Sequence, residues 1–222
     1  MCGRFAQALP AELLVRIFGA VDLHTSSPRP SWNIAPGASV AVAAWDAQRR
    51  RRVLVPMIWG LLAPWEKHWD SARLRPINAR CEGIAASRLF GSAFRRQRCL
   101  IAVDAWYEWA REGGQKIPYA LGRSNRARTV LGGIWECWRS PIGDRMRTMA
   151  IVTTSATAEL TAIRDRMPLV LDEADWPAWL GEVEGDAAAL LRPAPSRSIV
   201  TWRVGRAVGN PNHDGAQLLA GA

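Results

Sequence analysis

Residues 98–122 read RCLIAVDAWYEWAREGGQKIPYALG. Two runs rich in apolar and aromatic residues, 98–109 and 116–122, flank Gly113 and Gly114, a pair suited to a tight chain reversal, so the stretch predicts a β-hairpin. Downstream, 129–138 and 146–154 have the same character and extend the strand series. Upstream, 39–45 and 52–59 form another strand pair around the arginine run Arg49–Arg52, which reads as a hairpin tip. Pro10 followed by Leu13, Leu14, Ile17 and Phe18 predicts a helix over 10–18 that stops at Gly19. Residues 81–94 read as a second helix with Ile84, Ala85, Leu89 and Phe90 inward. A short third is expected over 157–163, and a fourth is capped by Asp172 with Glu173 and Asp175 in its first turn. Residues 25–37 and 60–76 read as loops, and 197–204 as a last strand. With no internal repeat and no linker-like stretch, this order predicts an α+β fold: one domain over 1–222, built on a curved antiparallel sheet or barrel with flanking helices.

The chain has 222 residues, 49% of them hydrophobic and 22% charged, which is ordinary globular composition and enough for a real core. The longest apolar runs, such as 41–45 and 100–103, are far too short to span a bilayer. No leader is expected, because no basic region precedes an apolar stretch and a cleavage site. The net charge is +9, and every basic side chain except Lys67 and Lys116 is an arginine. Such an excess favours polyanionic partners. Twelve tryptophans point to core anchors, with some free to stack on unpaired bases. Four cysteines, Cys2, Cys81, Cys99 and Cys137, show no zinc spacing, and no metal or organic cofactor is indicated. Cys81, Cys99 and Cys137 read as buried fillers.

Cys2 is different. Loss of Met1 would give it a free α-amine beside its thiol. An α-amine titrates at roughly 7.7–8.0 against about 10.4 for lysine, so part of it is neutral and nucleophilic near pH 7. A 1,2-aminothiol condenses with an aldehyde to a Schiff base, and the thiol then closes a durable thiazolidine ring.

Five further segments accompany Cys2-Gly3-Arg4: Trp32 to Gly37 (WNIAPG), Pro76 to Glu82 (PINARCE), Val103 to Trp109 (VDAWYEW), Ile163 to Pro168 (IRDRMP) and Arg206 to Asn210 (RAVGN). Each alone is unspecific. As an ordered set covering nearly the whole chain, they resemble the SRAP family, the SOS-response-associated peptidases or abasic-site-processing proteins. The resemblance implies an SRAP-like fold and a DNA-damage role in the SOS response. It also implies single-stranded DNA carrying abasic sites as partner, and a covalent thiazolidine crosslink through Cys2. It further implies lyase-like activity, and a peptidase or hydrolase activity that amounts to self-removal of Met1. No Ser-His-Asp set or metalloprotease motif suggests a general protease.

Residue by residue, Cys2 matches the crosslinking residue, Asn78 the asparagine that holds the abasic sugar and the Cys2 region, and Glu108 the catalytic acid. Arg4 and Asn33 match pocket-lining positions on the DNA side, and Arg80, Arg88 and Arg166 match backbone contacts. Trp65 matches a base-stacking tryptophan, with Trp69 as competitor. Glu108, between Tyr107 and Trp109, is expected to move protons during imine formation, with a raised pKa. The departure is Arg164, where the family has histidine: arginine essentially cannot shuttle a proton. Crosslinking is therefore expected to survive, with sugar-ring opening or crosslink reversal slowed. A monomer without membrane association is expected, in the cytoplasm and associated with the nucleoid. Two alternatives stand: an N-terminal-nucleophile thiol hydrolase, in which Cys2 attacks an amide, and a non-catalytic relative that only binds single-stranded DNA.

Overall fold

The computed structural model describes residues 2–23, 28–67, 69, 75–124 and 128–222. The hairpin that opened the sequence reading is present: β8 (Ala105–Glu112) pairs with β9 (Gln115–Arg123) around Gly113 and Gly114, both at positive φ. β4 (Ser39–Asp46) and β5 (Arg51–Trp59) pair around an arginine-rich tip. Asp46 caps that tip by accepting the N–H groups of Gln48 and Arg49, and Arg50 takes a left-handed φ of 49°.

β7 (Arg98–Val103), β10 (Thr129–Arg139) and β11 (Arg145–Ser155) continue this sheet in the order β11-β10-β7-β4-β5. A parallel pairing of β11 with β5, Thr148 to Ile58 and Met149 to Trp59, closes it into a five-stranded barrel. Val40, Val42 and Ala44 join Val53, Val55 and Met57 in one cluster, while Ala41 and Ala43 pack into another beneath the helices. Both faces of β4 are therefore covered, which accounts for its unbroken apolar run. In β10, a Cβ on Gly133 would lie 2.7 Å from the Ile101 side chain and 2.9 Å from Cys99 Sγ. Glycine there permits close packing inside the barrel. β2 (Val21–Asp22) and β12 (Arg166–Pro168) pair at the margins, and β6 (Asn78–Arg80) runs parallel beside β11.

A second sheet, β13-β9-β8-β1-β3, uses β1 (Phe5–Gln7), β3 (Ser31–Ile34) and β13 (Ile199–Arg203). Helix α1 (Ala11–Phe18) buries Leu14 and Phe18 and ends at Gly19 in the left-handed region, as its sequence predicts. The architecture is α+β, mostly antiparallel strand with short helices. No helix among the described residues is long and apolar enough to cross a membrane.

Several expectations are corrected. The single strand expected over 98–109 is two strands in different sheets. The chain bends at Asp104, whose carboxylate accepts the Ala8 N–H at 2.7 Å while its own N–H donates to the Ala6 carbonyl. The helix expected over 81–94 is a 3-10 turn at Cys81–Gly83, then turns, and α2 only at Gly91–Arg96. Ser87 accepts the Phe90 N–H, and a Cβ on Gly91 would meet the Ala85 carbonyl oxygen at 2.6 Å, so local bonding interrupts the helical run. The helix over 157–163 shrinks to a 3-10 turn, Ala158–Leu160. Asp172 caps with no side-chain hydrogen bond. It pairs instead with Arg123 at 2.6 Å, and a 3-10 turn leads into α3 (Trp176–Leu180). β3 falls in the stretch read as a loop, and β1 and β12 lie where no strand was expected. Cys99 is a buried filler, but Cys81 and Cys137 are only half-buried.

Candidate active site and nucleic-acid interface

A chain terminus ordinarily frays unless something ties it down. Here Gln7, 4% exposed, donates from Nε2 to the carbonyls of Ala41 and Ala102 (2.9 Å each) and accepts the Ala41 N–H. That fastens β1 to the barrel. Phe5 pairs with Trp106 and packs its ring 4.8 Å from that of Trp59. Trp59 in turn donates its indole N–H to the Ile77 carbonyl, beside Asn78. One tryptophan thus holds the N-terminal strand and β6 together.

Cys2 ends fully buried in the barrel cluster, and Asn78 Nδ2 donates to its carbonyl at 2.8 Å. Burial pushes the Cys2 thiol well above its ordinary pKa, and the charge of nearby Glu108 pushes it further the same way. The thiol is held protonated.

Glu108 is 2% exposed, and Arg164 Nε donates to its Oε2 at 2.9 Å. The expectation that Tyr107 and Trp109 enclose this carboxyl is corrected by strand alternation: both point to the opposite face. Tyr107 reaches the Trp32 carbonyl, and the residues on the face of Glu108 are Trp106 and Ala110. Arg164 is set by the turn that follows Leu160, through its N–H to the Leu160 carbonyl.

Arg4 and Asn33 form a strut rather than an open surface. Arg4 Nη1 donates to Asn33 Oδ1 at 2.8 Å and to the Val208 carbonyl at 2.9 Å. Asn33 Nδ2 donates to the carbonyls of Asn210 and His213. The late 206–210 segment thus closes over the N-terminus.

Asn78, Arg80, Ser87, Phe90 and Arg166 line a groove of about 640 Å³. Arg80 is exposed. Arg166 is 12% exposed and already engaged: it pairs with Glu82 and donates to the Thr153 carbonyl at 2.7 Å. Beyond the groove, the exposed Arg88 lies 5.9 Å over the ring of Trp65, itself 51% exposed. Trp69 is half-buried, with Arg75 stacked 4.0 Å from its centroid and Trp138 at 6.1 Å. Trp65 rather than Trp69 therefore offers a free face for a base. Sequence reading missed Gln7, Trp59, Glu82 and Thr153, because their roles depend on partners distant in the chain.

The hydrogen bonds from Arg166 hold the Glu82 carboxyl at about 2, against an ordinary 4.5. A depressed carboxyl contributes stability that is whole above its unfolded pKa and is lost as pH falls through the folded one. Glu82 is half-exposed, so solvent screens the effect. Glu82→Gln is expected to flatten the fall in thermal stability between about pH 5 and pH 2, as measured by denaturation across that range. Equal slopes in both proteins would show that the pair contributes nothing.

Among the described residues, no three His, Cys, Asp or Glu side chains gather as metal ligands would. Residues 1–211 match the family described as SOS response associated peptidase (SRAP). Among curated proteins, the chain is 32% identical to abasic site processing protein YedK of Escherichia coli (strain K12), covering 99% of both. It is 28% identical to YoqW of Bacillus subtilis (strain 168), again covering 99% of both, and 30% identical to HMCES of Gallus gallus, covering 87% of this chain and 70% of that one. Both relatives bear the same abasic site processing description. A crystal structure of a protein from Bacteroides thetaiotaomicron shares the fold with a TM-score of 0.88 at 20% identity over the full length of both chains. One from Bordetella bronchiseptica gives 0.79 at 21%, covering 92% of this chain and all of that one.

Proposed function

The chain belongs to the SOS response associated peptidase (SRAP) family, and from that premise we propose that it processes abasic sites in single-stranded DNA, capturing the lesion covalently on Cys2. The observation that carries this reading is the hydrogen bond from Asn78 to Cys2, which holds the N-terminal residue in a buried corner that Glu108 also faces. The names of its relatives agree, since each is called an abasic site processing protein.

On this reading Met1 is removed by hydrolysis of its bond to Cys2, a step the protein performs on itself; Met1 lies outside the described residues. The freed α-amine attacks C1′ of the open-chain sugar and forms a C–N bond. Glu108 takes a proton from that nitrogen and delivers one to the departing hydroxyl, which leaves as water. The Cys2 sulfur then adds to the resulting C=N carbon, and its proton passes to nitrogen. Aldehyde and aminothiol become thiazolidine plus one water, with no oxidant or metal required. Arg80, Arg88 and Arg166 are assigned to phosphates and Trp65 to a base, with Arg4 and Asn33 keeping the corner closed. Arg164 positions the Glu108 carboxyl through its 2.9 Å hydrogen bond and moves no proton itself, which slows sugar-ring opening or crosslink reversal relative to a histidine there. Residues 1–222 act as one unit, a monomer working in the cytoplasm at the nucleoid.

A thiol hydrolase needs a thiolate, and burial opposes one at Cys2. That weighs against the amide-cleaving alternative. Incubation of Met1-processed protein with a single-stranded oligonucleotide bearing one abasic site should give a slow-migrating band on a denaturing gel. Cys2→Ala should abolish it. Salt-sensitive binding with no such band would leave a non-catalytic relative and sink the covalent reading.

A further inference from the structure

The hairpin β8–β9 carries charge that the site above does not use. Arg111 and Lys116 stand directly opposite each other in its antiparallel register, and both are exposed. Like charges so placed repel. The adjacent carboxylate, Glu112, is engaged elsewhere, accepting from the Tyr119 hydroxyl at 2.7 Å and pairing with Arg203. Among the described residues, neither Arg111 nor Lys116 has an ion-pair partner.

With Trp109, Arg164 and Gly209, these two side chains line a pocket of about 300 Å³. Arg111, Lys116 and the Glu108-paired Arg164 line it, and no acidic residue is among its described lining residues. Arg164 is the side chain bonded to Glu108, and Gly209 follows Val208, whose carbonyl holds Arg4. The pocket shares no lining residue with the groove of Arg80 and Arg166. The groove reaches the reacting corner through Asn78, and the pocket reaches it through Arg164. Asn78 thus links the groove to Cys2, and Arg164 links the pocket to Glu108.

A strand with its lesion at that corner continues on both sides unless the lesion is terminal, and each side brings phosphodiesters. We propose that the pocket of Arg111, Lys116 and Arg164 is a phosphate subsite for the strand leaving the lesion on the side away from the groove. This deepens, and rests on, the reading of the site as one for abasic single-stranded DNA. A phosphodiester oxygen pair accepts from the Arg111 fork and from the Lys116 ammonium, and its negative charge relieves their repulsion. Free phosphate offers the same oxyanion chemistry, so the test separates the two sources.

The test uses the full, Met1-processed chain and its double variant Arg111→Gln with Lys116→Gln. Both positions are exposed on a hairpin surface, and thermal denaturation checks that the fold is kept. Affinity for an undamaged single-stranded oligonucleotide is read by anisotropy over a range of salt. Each phosphate neutralised on a single strand adds about 0.7 to the slope of log affinity against log salt, so the variant, which gives up the one phosphate held by both side chains, should lose about 0.7 from that slope. Abasic oligonucleotides with the lesion internal, at the 5′ end or at the 3′ end locate the contact. The variant should bind the internal lesion and one end-placed lesion about tenfold more weakly at low salt, and match the parent on the other, which has no strand to fill the pocket. An unchanged slope, or equal losses on both end-placed lesions, would overturn the subsite. So would stabilisation of the parent alone by inorganic phosphate with DNA binding unaltered, since the pocket would then take a free anion. If the parent forms no covalent band, the capture reading fails, while the slope on undamaged DNA still decides the subsite.

Discussion

Glu108→Gln should slow crosslink formation by roughly two to four orders of magnitude, the range that a positioned acid–base group supplies, while binding of undamaged single-stranded DNA stays near that of the parent. Glutamine keeps the shape of the side chain and can still accept from Arg164 Nε, so the 2.9 Å contact has a substitute partner. What it loses is the ability to take and return a proton. The substitution carries an internal control of opposite sign. Glu108 raises the thiol pKa of Cys2 by its charge, so its removal lowers that pKa and makes the thiol no slower to alkylate. Single-turnover crosslinking on denaturing gels, run beside thiol alkylation, separates the two effects. Crosslinking within threefold of the parent would remove Glu108 from proton transfer. In the companion variant Arg164→His, a group titrating near 6.5 replaces a permanent cation, and ring opening or crosslink reversal should speed up.

Trp59→Ala should cost about 3–5 kcal/mol of stability, in the upper range for emptying a buried aromatic site. Trp59 is fully buried, packs on Phe5 and donates to the Ile77 carbonyl. Its loss opens a cavity at the point where the N-terminal strand, β5 and β6 meet, and removes one of the two donors to the Ile77 carbonyl, which keeps the Ile151 N–H. Trp59→Phe keeps a ring against Phe5 and should cost distinctly less. Urea denaturation measures both. A loss under about 1 kcal/mol for the alanine variant would mean that the surrounding side chains collapse into the site. The chemical consequence follows from the packing: the residues that hold Cys2 and Asn78 in register are held together by this ring.

Local order in the chain determined a good deal. The paired glycines at 113 and 114, the arginine tip and the glycine after Phe18 each report the backbone over a few residues, and each structure forms as read. The ordered motifs likewise sufficed for the family, because Cys2, Asn78 and Glu108 are recognised by their local neighbours. Tertiary contacts decided the rest. The break at Asp104 is invisible in an unbroken apolar pattern, since it is made by hydrogen bonds to Ala6 and Ala8 nearly a hundred residues away. Residues 81–94 carry helical spacing, yet packing of Gly91 against Ala85 and the bonds of Ser87 divide them. Periodicity gave no sign of β1, β3 and β12, strands of three or four residues that exist through the neighbours they pair with. The site follows the same division. Residue types and order named the side chains to which the chemistry is assigned. That Arg164 clamps Glu108, that Arg166 is committed to Glu82, and that Trp65 is more open than Trp69 are facts of three-dimensional proximity. Such contacts join residues far apart in sequence, and no local pattern records which partner a long side chain reaches.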